Sequence, residues 1–326
     1  MKQAVSLILL LVCLVTAAAL ISCPNYSSPS SEKKDEKVKD GETENWNPAV
    51  YLSADLTLDA YAVIRSKGYE IETPDETRSS YTAAHPDVKH ITQQFDSVLN
   101  KDVFAFTLHR TPDDDPSGPE RVDRQRNEMK SDAHSPETLK GVRGEAHKFV
   151  WKFRIPPGFV ASSGFTHIHQ LKPVGGDEIP TITLDLRKKS NGNEVVQLVY
   201  RPPAAGGGTA SSNVYLVDNI PMADFFNQWV QVEEKVLYDD PPEYSIKVTR
   251  HSDGKKLLEY TYKAANWNNP EPFIMIRSGT TFVRPKWGIY RQITTDSAGM
   301  NSIPELKDET ILFADFEQYE RIGGTP

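Results

Sequence analysis

Cysteine is nearly absent from this chain: Cys13 and Cys23 are the only two. The remaining sequence therefore holds no disulfide, no thiolate nucleophile and no Cys-x-x-Cys metal site. A basic excess is absent as well. Lys and Arg number 37 against 45 Asp and Glu, for a formal charge of −8, so nothing draws the whole chain to nucleic acid, and no nucleic-acid partner is expected. A polyanionic ligand would need a local basic patch inside an acidic shell. No internal repeat of propeller or solenoid length is visible. The run Gly206-Gly207-Gly208 lacks both a strand-to-helix context and a Lys, which excludes a phosphate loop and leaves a loop that could cover a site.

The first residues address the chain. Met1-Lys2 supplies a positive start, and Leu7 to Leu20 is apolar and uncharged, as in an export signal. It ends Leu20-Ile21-Ser22-Cys23, which resembles a bacterial lipobox. The resemblance implies a signal over 1–22, a lipid on Cys23, and anchoring to the outer membrane of a bacterium. Residues 23–49 are rich in Ser, Lys, Glu and Asp. They bury too little apolar surface to offset chain entropy, and are expected to be a flexible tether.

Residues 50–324 read as one domain. Leu56 to Ile64 could form a short helix, its period undecided. From residue 101 onward β signals dominate: 102–109, 149–155, 166–171, 181–187, 195–201, 229–237, 244–251, 256–262, 273–278, 286–291 and 310–320, separated by Gly, Pro, Asn and Asp clusters. Asp253-Gly254 between two of these is a hairpin turn. Residues 221–227 could make one helical turn. Many short strands with little helix predict an all-β, concanavalin-like antiparallel β-sandwich, a jelly roll; a monomer is expected, though no residue pattern addresses the oligomeric state.

Three stretches are too polar for a core. In Arg124-Gln125-Arg126-Asn127-Glu128-Met129-Lys130, alternation puts Arg124, Arg126, Glu128 and Lys130 on one face. Glu128 can orient the guanidiniums, leaving them aimed at a sugar carboxylate; a solvated edge is the plainer alternative. In His167-Ile168-His169 the two imidazoles should share a face and suit proton transfer near neutral pH. No third ligand stands at metal spacing beside them, so no catalytic metal is expected. In Arg284-Pro285-Lys286-Trp287-Gly288-Ile289-Tyr290-Arg291-Gln292, Gly288 should let a ligand approach the backbone, and cations beside Tyr290 should lower its pKa. Asp113-Asp114-Asp115 could hold a structural Ca²⁺ or be a solvated loop.

Taken together, Arg126-x-Glu128-Met129, His167-x-His169 and Lys286-x-Gly288-x-Tyr290-x-Gln292 resemble, in order and spacing, the three motif strands of jelly-roll polysaccharide lyases: alginate lyases, glucuronan lyases and heparinase-I-like enzymes. The likeness runs from about residue 100 to the end. His167 stands where that family has Gln, and Arg284 where it has Tyr. The resemblance implies β-elimination on an acidic, uronate-containing polysaccharide with no required cofactor. It assigns carboxylate neutralisation to Arg126 and His167, and acid and base roles to Tyr290 and His169. Lys286, Arg124 and Arg291 would bind neighbouring uronates, and Glu128, Lys130, Arg284 and Gln292 would complete the substrate-binding set. Two other functions stay open. A non-catalytic carbohydrate binder could stack sugars on Trp46, Trp151, Trp229, Trp267 or Trp287. A sandwich-type glycoside hydrolase would need paired carboxylates, whereas Asp185 and Glu194 look isolated.

Overall fold

Alternating apolar and polar side chains build two antiparallel sheets. The structure is a computed structural model that describes residues 45–78, 81–118, 121–203 and 212–322. The proposed signal, Cys23, most of the tether and the triple glycine lie outside the described residues.

Among the described residues fifteen strands follow in chain order: β1 (Asn47–Leu52), β2 (Glu70–Glu72), β3 (Ile91–Asp96), β4 (Lys101–Leu108), β5 (Arg124–Lys130), β6 (Glu145–Arg154), β7 (Thr166–Val174), β8 (Ile182–Lys188), β9 (Glu194–Tyr200), β10 (Val214–Pro221), β11 (Trp229–Leu237), β12 (Glu243–Arg250), β13 (Lys256–Thr261), β14 (Phe282–Gln292) and β15 (Glu309–Ile322). One sheet has the order β13-β12-β11-β6-β15-β4-β3, with β1 also paired to β15; the other is β10-β9-β8-β7-β14-β5-β2. Every named strand pair is antiparallel. The expected β-sandwich is thus what forms.

Inward side chains of both sheets make one large core, with Trp151, Phe153, Phe149 and Phe313 from the first sheet meeting Trp287, Ile168, Leu184 and Leu198 from the second. Burying each such side chain contributes roughly 1.5–3 kcal/mol. Short helix α1 (Ala60–Ser66) starts at Asp59, whose carboxylate accepts from the N–H groups of Tyr61 and Ala62. The Asp253-Gly254 turn joins β12 to β13, with Gly254 at φ +68°. Residues Met222–Phe225 form the one-turn helix.

Residues 273–278, expected as a strand, are irregular. Phe273 instead packs against Tyr262 and Tyr200, at centroid distances of 4.2 and 4.4 Å, so its apolar content reflects burial rather than pairing. Four short strands, β1, β2, β3 and β10, carry no clear alternation and were not foreseen.

Candidate active site

The three polar stretches become neighbours: β14 lies between β7 and β5 in the second sheet. Tyr290 sits opposite Arg126 on one side and His167 on the other, and Lys286 opposite Lys130 and Gln170. Residues of one parity on β14, Trp287 and Ile289, enter the core. Those of the other parity, Arg284, Lys286, Tyr290 and Gln292, share the outer face with Arg124, Arg126, Glu128 and Lys130.

At the centre of this face is a lattice of buried charge. Arg126 binds Asp115 (2.9 Å) and Glu128 (2.7 Å). Lys286 bridges Glu72 (2.6 Å) and Glu128 (2.7 Å), and Lys130 also binds Glu72. Gln170 donates to Glu128. Three cations face three carboxylates, so the lattice is close to neutral. Burial alone would protonate the acids; the facing cations outweigh it and hold Glu72 and Glu128 below the usual carboxylate range. Asp115, opposite Arg126, is lowered to about 2. Arg126, Lys130 and Lys286 are thus matched by carboxylates rather than left as free charge.

Around the lattice Tyr290 and His167 are largely buried, keeping 5% and 7% exposure, and Arg124 is the more exposed neighbour. Tyr290 accepts a hydrogen bond from Arg124 Nη1 at 3.0 Å, and the Arg126 guanidinium lies 3.6 Å from the centre of its ring. His167 Nδ1 meets Asp185 Oδ1 at 2.5 Å, and its ring centroid is 5.7 Å from that of Tyr290. Phe165 packs on both rings. Arg124 also holds Asp123 at 2.6 Å and keeps 27% of its side chain exposed. Gln292 lies over Gly164, where a Cβ would collide with its side chain.

Several expectations need correction. His167 and His169 do not share a face. The pairing of β7 shifts register between them against both neighbours, and one such irregularity reverses the side chains beyond it. His169 enters the sandwich with no exposed surface. Its Nε2 meets Glu234 of the opposite sheet at 2.7 Å, and its Nδ1 donates to the Lys286 carbonyl at 3.0 Å. Trp287 stacks on it at 5.3 Å. A substrate on the outer face cannot reach it. Arg291 likewise points inward, fully buried, with Nε donating to Gln125 at 3.0 Å. It belongs to the interior and does not bind uronates from the outer face.

Gly288 serves backbone packing, not ligand approach: its φ is +144°, and a Cβ there would stand 2.1 Å from the Asn127 carbonyl oxygen. The Tyr290 pKa is raised, not lowered, because burial outweighs Arg126 and Arg124. Asp113, Asp114 and Asp115 point to three different partners, namely the His85–His90 pair, Tyr81 and Arg126. They form no common oxygen cage. Asp185, read as isolated, is the partner of His167.

Residues not anticipated complete the face. Glu72 arrives on β2, a three-residue strand with no pattern to flag it. Lys172 stands opposite Arg284, and neither has an ion-pair partner among the described residues. Burial, then Lys286, Arg126 and Arg284, push the Lys172 amine down to about 7. Three of the five tryptophans, Trp151, Trp229 and Trp287, are buried and offer no stacking platform.

No protein-family model matches the chain, and no curated protein matches it in sequence. Solved structures do match in shape. The endo-β-1,4-glucuronan lyase of the fungus Trichoderma reesei superposes with a TM-score of 0.50 at 14% identity, over 86% of this chain and 96% of its own. The exolytic alginate lyase of Zobellia galactanivorans gives 0.50 at 10% identity, over 79% and 96%. The fold is that of the jelly-roll polysaccharide lyases.

Proposed function

We propose that this chain is a polysaccharide lyase that cleaves a uronate-containing polysaccharide by β-elimination on the outer face of the second sheet. The observation that carries this reading is the pairing of His167, backed by Asp185, with Tyr290, backed by Arg124, on adjacent strands in register.

In such a reaction the C5 proton leaves, the C4–O bond breaks and a C4=C5 double bond forms. That proton is weakly acidic while the uronate carboxylate carries full charge, so a fixed cation beside the carboxylate lowers the barrier. Arg124 is the partly exposed cation nearest Tyr290 and fits this role through Nη1, its Nε and Nη2 being held by Asp123; Arg126 is more deeply buried and committed to Asp115 and Glu128. Asp185 takes the Nδ1–H of His167, which leaves Nε2 as the proton acceptor. Nε2 has no hydrogen-bond partner among the described residues. Tyr290, kept protonated by burial, suits donation to the leaving O4. Arg124 and Arg126 then stabilise the phenolate left behind, which is the division of acid and base that separated environments produce. Arg284 and Lys172, about 20 Å along β14 from Tyr290 at ~3.3 Å per residue, would bind carboxylates several sugars away.

The test is a panel of uronic polysaccharides followed by ultraviolet absorbance of the unsaturated product. Absorbance that rises with wild type and disappears in Tyr290→Phe supports the reading. New reducing ends without absorbance would mean hydrolysis instead. Export and lipid attachment at Cys23 belong to the same proposal, and mass spectrometry of the membrane-extracted chain checks them.

A further inference from the structure

A second cluster lies apart from the Tyr290–His167 pair. His90 immediately precedes β3 and His109 immediately follows β4, and these strands pair as a hairpin. Both imidazoles thus stand at one end of that hairpin, where Thr107 N–H donates to the His90 carbonyl at 2.9 Å. His85 comes from the preceding loop and Asp113 from the loop after β4. The three rings form a near-equilateral triangle, with centroids 4.9, 5.1 and 5.2 Å apart.

Their nitrogens turn toward one carboxylate. His85 Nδ1 and His90 Nε2 each lie 2.9 Å from Asp113 Oδ1, and His109 Nδ1 lies 3.3 Å from Oδ2. His90 Nε2 and His109 Nδ1 face each other at 3.3 Å. One donor atom from each residue falls within 4.8 Å of all the others. A tetrahedral ion with bonds of about 2.0–2.1 Å has donor–donor edges of roughly 3.3–3.4 Å, close to the spacing here. The outer contacts match those of a metal-binding histidine. His90 Nδ1 meets Asp75 at 3.0 Å, and Asp75 accepts from Tyr61 O–H at 2.7 Å; a carboxylate on the far nitrogen fixes which nitrogen faces a metal. Asp113 Oδ2 also accepts the His109 N–H at 2.6 Å.

We propose that His85, His90, His109 and Asp113 form a structural site for a divalent transition metal of the zinc class. Three imidazoles and one carboxylate suit zinc; an all-oxygen calcium site they are not. His90 and Asp113 have fully buried side chains, whereas His85 and His109 keep 22% and 23% exposed, which leaves a path for the ion. Four protein donors close the coordination sphere, so the ion organises structure and activates no water. It would fasten the loop carrying Asp115, the carboxylate that holds Arg126, to the β3–β4 hairpin.

The test uses the full chain, purified without a histidine tag. Chelator-treated protein is titrated with zinc alone, against a chromophoric competitor, and metal content and thermal denaturation are measured. About one zinc per chain and a clear rise in Tm are expected. His85→Ala and His109→Ala, both at partly exposed positions, should weaken zinc at least ~10²-fold, whereas His134→Ala, an exposed histidine outside the cluster, should not. Co²⁺ in place of zinc should give the intense visible absorption of a four-coordinate centre. No stoichiometric zinc uptake, unchanged affinity in both variants, or the weak absorption of an octahedral ion would overturn the proposal. None of these readouts involves polysaccharide cleavage, so the outcome is independent of the lyase reading.

Discussion

His167 and His169 stand two residues apart, and each holds a carboxylate at hydrogen-bond distance. His167 meets Asp185 on the outer face of its own sheet; His169 meets Glu234 across the sandwich. The pairing chemistry is the same, but His167 keeps 7% of its surface exposed on the outer face and His169 none. Glu234 also accepts from Tyr244 O–H at 2.8 Å, so the inner pair is part of a sealed network joining the two sheets. The outer pair adjoins Tyr290 and has a ring nitrogen without a hydrogen-bond partner among the described residues. A His–carboxylate pair is therefore no sign of catalysis by itself; what distinguishes the two is whether a reacting atom can reach the free nitrogen.

Replacing the inner histidine should give the largest effect. His169→Ala leaves Glu234 buried with Tyr244 as its remaining partner, and breaking a buried pair costs about 3–5 kcal/mol. Urea denaturation should show that loss, while the fraction that folds keeps near-normal kcat on a cleaved polysaccharide. Full stability with lost turnover would reverse the comparison and return His169 to the chemistry.

The outer pair should behave the other way. Tyr290→Phe and His167→Ala should each reduce kcat at least ~10²-fold, the usual contribution of a positioned acid or base, with little change in the denaturation midpoint for Tyr290→Phe and a fall for His167→Ala, which strands the buried Asp185 carboxylate. Asp185→Asn should produce a smaller fall by presenting the wrong tautomer of His167. Single-turnover rates measured beside melting curves separate these outcomes. Two active variants would remove both residues from the mechanism.

This contrast also marks what the sequence made legible. The sandwich follows from the many short strands and their turn clusters, the shared face of Arg124, Arg126, Glu128 and Lys130 from alternation, and the order of the motif strands from the family resemblance. The facing of His169 does not, because alternation breaks within β7. Counted forward from His167, residue 169 points out; counted back from the buried Leu171, it points in. That conflict, beside a glycine in the neighbouring strand, was the readable trace of the irregularity. Glu72 and the His85–His90–His109–Asp113 cluster had no such trace. They come from loops and short strands brought together only by tertiary packing.

The smallest effect concerns Lys172, on the outer face and without a carboxylate partner among the described residues. Its amine, at about 7 in the folded chain, has an ordinary value near ~10.4. The unfolded chain therefore holds a proton that the folded one releases between those values. Stability from this group rises with pH across that window, and its full cost is felt below pH 7. Lys172→Met removes the cost. At pH 6 the variant should be more stable than wild type by on the order of 2 kcal/mol, about half the ideal linkage value because the side chain is partly exposed to water. The gap should close toward pH 10. An acidic oligosaccharide on this face would restore the proton, so wild type should take up protons on binding near pH 8, measurable by calorimetry in buffers of different ionisation enthalpy. A stability gap independent of pH would mean that the amine keeps its proton throughout, and that the outer face carries one more fixed positive charge than the ion pairs around it allow.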